Sequence, residues 1–141
     1  MNTSAHVQRG LLVFSIWAAL GFLGGGFVLE GFERDSIGVS LVGTGLIVTA
    51  ACAHIVVNAI FGVSFTTGES ALGAAIYGVT MLIFILAWLR GGLSGSNYLS
   101  GLALFGTLAV GVIAYSTTRY GLRGAFSRFH VQEISGRETL Q

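Results

Sequence analysis

His54 and Asn58 are the residues of this 141-residue chain whose types and spacing come closest to a chemical site. An imidazole can hold or pass a proton near neutral pH, and a carboxamide one helical turn away can orient it or extend its reach. Both belong to the series Ser40, Thr44, Ile47, Ala51, His54, Asn58, whose three-and-four spacing collects them on one helical face. Five of these six side chains are small or polar, so in hydrocarbon the face needs a protein partner or a water-filled cleft. It is expected to point into a bundle or an oligomer seam.

Four roles suit His54. A neutral histidine bonded across a helix contact needs only a hydroxyl or carbonyl partner. A proton or substrate relay needs a polar continuation, for which Asn58, Tyr77, Thr80, Thr107 and Tyr115 are the candidates. A quinone or lipid-headgroup contact needs a lipid-facing opening. Haem or metal ligation needs a second strong ligand, yet His6 and His130 fall outside the apolar runs, so only two copies of the chain sharing His54 could supply an axial pair.

The acidic residues nearest to hydrocarbon have simpler uses. Glu30 stands four residues before Arg34, the spacing of a surface ion pair, although a carboxylate at that depth is also a binding candidate. Thr66 and Glu69 have the spacing of a capping box. Cys52 has no second cysteine to pair with and is expected to act as a small buried hydrophobe. The chain has no His-Glu-x-x-His, Cys-x-x-Cys, Gly-x-Ser-x-Gly or phosphate loop. No catalytic residue and no metal ligand set is therefore assigned, the cofactor is left unknown, and an enzyme is disfavoured.

The elements that must carry these residues follow from composition. The chain is 53% hydrophobic and 9% charged, against about a quarter charged in soluble domains. Residues 10–29, 37–68, 70–89 and 91–118 contain no charged side chain. Each can supply the roughly 20 residues that cross a hydrocarbon core about 30 Å thick. The expected fold is all-α: four transmembrane helices, Arg9 to Phe32, Ser36 to Phe61, Thr67 to Leu89 and Tyr98 to Thr118, in an up-down-up-down bundle enforced by short connections. Asp35 or Ser36 is expected to cap the second helix, and Asn97 or Ser96 the fourth. The first helix is too long for a cleaved leader and lacks an Ala-x-Ala-like site.

Residues 1–118 thus form the membrane domain, and residues 119–141 a basic cytoplasmic tail. In that tail Leu122, Ala125, Phe126 and Phe129 share one side, which suits either a short amphipathic helix in the headgroup region or a fraying extension of the fourth helix. With both termini cytoplasmic, Arg9, Arg119, Arg123, Arg128 and Arg137 lie inside and only Arg34 and Arg90 outside, the sense favoured for an inner bacterial membrane. Seven arginines without a basic face exclude nucleic acid as a partner.

There are 22 glycines and no proline. Gly21-x-x-x-Gly25, Ala71-x-x-x-Ala75 and Gly106 are candidate packing positions, where small residues let helices approach closely. The function expected on these grounds is a small structural or accessory subunit that packs against copies of itself or other membrane proteins. The alternative is a small oligomeric transporter or channel lined by Ser40, Thr44, His54 and Asn58. A third is a redox subunit associated with quinone or haem.

Overall fold

A computed structural model of the chain describes residues 3–127, with side chains described to residue 117. Among the described residues it is all-helical, with 4 helices long and apolar enough to cross a membrane. They are α1 (Thr3–Glu33), α2 (Ile37–Ile60), α3 (Thr67–Leu89) and α4 (Gly95–Ser127). The chain divides into two compact units, Met1–Phe105 and Gly106–Gln141. In the second unit the described backbone simply continues α4 as helix to Ser127. No helix end falls at the expected boundary between residues 118 and 119, and residues 128–141 of the basic tail lie outside the described part.

The helices of the first unit stop by one device. Gly62 and Gly91 take positive φ, 63° and 70°, immediately after the last turns of α2 and α3. The Val63 amide then donates to the Asn58 carbonyl (2.9 Å) and the Gly92 amide to the Ala87 carbonyl (3.0 Å). This closure satisfies carbonyls the helix end would otherwise leave bare. Helix α1 ends in the same way with a non-glycine residue: Asp35 has φ 55° and the Ser36 amide donates to the Gly31 carbonyl at 2.8 Å. Asp is among the few side chains that tolerate this conformation.

The helix starts differ partly from expectation. Thr66 and Glu69 form the capping box. Ser36 precedes α2 but makes no side-chain cap. Helix α4 begins three residues earlier than Tyr98, and its first turn is capped by Ser94, whose hydroxyl accepts from the Asn97 amide at 3.1 Å. The carboxamide of Asn97 instead reaches the Phe32 carbonyl at 3.1 Å, and Asp35 accepts from the Ser94 hydroxyl. Asn97 and Ser96 are therefore not the cap: both lie within α4, and the Ser96 hydroxyl donates to the Asp35 carbonyl at 3.1 Å in the turn after α1.

Helices α1 and α2 pack most closely. Gly24 lies against Gly43 and Ile47, Val28 against Gly43, and Gly31 against Ser40, so partner numbers fall as α1 advances and the two helices run antiparallel. Side chains cannot fit here: a Cβ on Gly43 would stand 2.5 Å from the Gly24 carbonyl oxygen and 2.6 Å from the Val28 amide. Gly21 and Gly25 make none of these close approaches within the chain. Gly21 faces the ring of Trp17 in its own helix, while added carbons at Gly25 and Gly106 would meet nothing within 4 Å.

Helix α3 is the exception to close packing. None of its most apolar 18-residue window is buried, and its Cα atoms stay more than 8 Å from those of α1 and α2. It is held by long side chains. Phe84 meets Phe32 edge-on and fills the notch at Gly101, and the Tyr77 hydroxyl donates to the Phe105 carbonyl at 3.2 Å. Ala71 and Ala75 are exposed on its outer wall.

Candidate functional site

The polar series on α2 is buried as its spacing implied: Ser40, Thr44, His54 and Asn58 are all inaccessible. Its two halves do different things. Ser40 and Thr44 lie in the glycine seam with α1, where the Thr44 hydroxyl donates back to the Ser40 carbonyl at 3.0 Å. His54 and Asn58, nearer the end of α2, enter a polar cluster with residues of α1 and α3.

Arg9 organises that cluster. It is 4% exposed and its guanidinium is shared by three helices. Nε donates to Asn58 Oδ1 at 2.8 Å, and one terminal nitrogen donates to both carboxylate oxygens of Glu69 at 2.8 and 2.9 Å. Charge-assisted bonds of this kind are among the strongest a side chain makes. The planar, extended side chain suits the wide gap to α3. Glu69 meanwhile keeps its capping role, accepting from the Thr66 amide at 2.9 Å. One carboxylate both starts α3 and anchors it.

His54 sits about 6 Å deeper than Asn58, by the helical rise. Its Nδ1 accepts from the indole N–H of Trp17 at 3.3 Å, and its Nε2 lies 3.7 Å from Glu69 Oε1, with the ring of Phe65 edge-on at 4.6 Å between centroids. An indole nitrogen only donates, so Nδ1 carries no proton and the neutral ring holds its proton on Nε2. That Nε2 and Asn58 Nδ2 are buried donors with no hydrogen-bond acceptor within the described residues. Trp17 opens the single π-turn of α1, Trp17–Gly21. Such a bulge shifts the helix register locally and is frequent at functional sites.

Of the remaining candidates in the first unit, Tyr77, Thr80 and Glu30 are engaged elsewhere. Tyr77 is committed to the Phe105 carbonyl, and the Thr80 hydroxyl donates to Ile76 and Tyr77 carbonyls of its own helix. Glu30 forms its expected ion pair with Arg34 on the surface. Cys52 is exposed on the outer face of α2, which corrects the expectation of a buried thiol: Ala50 and His54 face inward, and position 52 points away from them. Among the described residues no group of three or more His, Cys, Asp or Glu could hold a metal ion.

Spacing and composition do not assign Arg9, Trp17 or Phe65 to a site, and capping is an adequate explanation of Glu69 in the sequence. A usable signal was present, since Arg9 and Glu69 are charges at the ends of two apolar runs on the same expected side of the membrane. No family model, curated relative or solved structure matches this chain.

Proposed function

We propose that the protein is a small structural or accessory subunit of a membrane complex, docking through the outer wall of α3. The observation that carries this reading is the state of that helix. It is apolar enough to span, unburied within the chain, and it presents Ala71 and Ala75 outward beside a shallow apolar groove lined by Ala75, Ile76, Val79 and Thr80. Lipid is indifferent to small side chains, whereas another helix gains close dispersion contacts from them. The polar series on α2 supports the same reading over a conduit, because Ser40 and Thr44 are occupied by the seam with α1 and Arg9 is neutralised by Glu69. On this reading both termini are cytoplasmic and the four helices cross an inner bacterial membrane up-down-up-down, in the sense set by the arginine distribution.

The test is extraction in mild detergent at native abundance, with sizing and identification of whatever accompanies the chain. An assembly larger than one chain is expected, and Ala71→Leu with Ala75→Leu should reduce it to the single chain. A wild-type protein that runs alone and forms no crosslinks in native membranes, or a variant assembly of unchanged size, would refute the reading. Gly25→Leu separates helix faces, since that position has open space on α1.

A further inference from the structure

His54 is a buried imidazole whose two nitrogens face chemically opposite neighbours. On the Nδ1 side stands a donor, the indole N–H of Trp17 in α1. On the Nε2 side stands the Glu69 carboxylate of α3, 3.7 Å away and itself bound by Arg9 of α1. Asn58 lies one turn along on the same helix with its amide nitrogen unpartnered among the described residues, and Phe65 covers the ring. Among the described residues, Arg9 and Glu69 are the charged groups facing the imidazole, and they are of opposite sign.

We propose that His54 is a proton-binding site, and that taking up a proton exchanges its hydrogen bond with Trp17 for an ion pair with Glu69. The step balances simply. Nε2 already carries hydrogen, so the proton delivered from water forms its new N–H bond at Nδ1. That nitrogen then donates, and it can no longer accept from an indole that also only donates. The Trp17 bond breaks and the indole must turn away. It has room to do so, since Trp17 is 39% exposed. The imidazolium meanwhile gains a full charge beside Glu69 and competes with Arg9 for that carboxylate.

Three consequences share this geometry. The neutral ring holds Trp17 at the π-turn, the charged ring releases it, and Glu69 divides its attachment between α1 and α2. Proton uptake therefore reports on α1 through Trp17 and on α3 through Glu69. The inference is independent of the accessory-subunit reading, because its measurements use the isolated full-length chain and no partner.

The chain has two tryptophans, so Trp88→Phe leaves Trp17 as the sole indole. Fluorescence of that variant in lipid nanodiscs, titrated from pH 8 to pH 4.5, should show one single-proton transition. His54→Gln should abolish it. A second measurement guards against a variant that does not fold. With His6→Gln and His130→Gln, only His54 remains to be seen by nitrogen NMR. At pH 8 its Nδ1 should be unprotonated and its Nε2 protonated, with Nδ1 gaining a proton through the same pH range. Trp17→Phe removes the competing donor and should move that transition upward by about half to one pH unit. The opposite neutral tautomer, a ring that stays neutral to pH 4.5, or a Trp17 signal that titrates equally without His54 would overturn the proposal.

Discussion

Arg9 is where one side chain decides the position of a helix. Its bonds to Asn58 and Glu69 join α1, α2 and α3, and Glu69 lies in the first turn of a helix with no buried residue and no close backbone approach to α1 or α2. Removing one partner of such a cluster leaves the others desolvated without compensation. Arg9→Met should lower stability by about 2–4 kcal/mol, read from unfolding in mixed micelles. Glu69→Gln is more selective, because a glutamine still completes a capping box while the ion pair is lost. The double variant should lose less than the two single losses added, by about 1–2 kcal/mol. Strict additivity would show that the two groups do not meet in the membrane. At this scale the chain was partly legible. The burial of Ser40, Thr44, His54 and Asn58 follows from their shared face. Their partners do not, because the choice of Trp17 for His54 depends on a π-turn that no local propensity specifies.

Helices α1 and α2 owe their contact to absent side chains more than to large ones. Gly43 and Gly31 allow α1 and α2 to touch backbone to backbone, whereas a carbon added at Gly45 meets nothing. Gly43→Ala should therefore destabilise the pair by about 1–3 kcal/mol through overpacking. Gly45→Ala should be neutral or stabilise by about 0.5–1 kcal/mol, since alanine restrains the unfolded chain. Equal effects at both positions would contradict the seam. The helix stops make a second, independent test. Gly91→Ala forces a Cβ into the left-handed region after α3 and should cost about 1–2 kcal/mol in the same unfolding assay. Capping of α3 and the extents of α2 and α3 were readable because caps and hydropathy are local. The glycine spacing left the inward face open: with so many glycines, spacing alone cannot say which face meets a neighbour within the chain, and there it is Gly24 rather than Gly25 that meets α2.

For the whole molecule, the exposed Cys52 near the middle of α2 is a native reporter of its surroundings. A nitroxide attached there should be relaxed by oxygen and shielded from a water-soluble nickel chelate, as at a lipid-facing site. Strong nickel accessibility would contradict a membrane-spanning α2. That four segments are helices able to cross a bilayer was determined by the sequence alone, because the cost of placing peptide groups and charges in hydrocarbon is set segment by segment, by composition and length. Beyond the local Glu30–Arg34 pair, which side chain of one helix meets which of another was decided only by tertiary structure. The union of Arg9, Asn58 and Glu69, the hold of Trp17 on His54 and the loose seating of α3 depend on the rotation and height of each helix against the next. For α1 and α2 those are fixed by backbone approach at Gly24, Gly31 and Gly43, and for α3 by the reach of Arg9, Phe84 and Tyr77, a sum over distant contacts that no single segment contains.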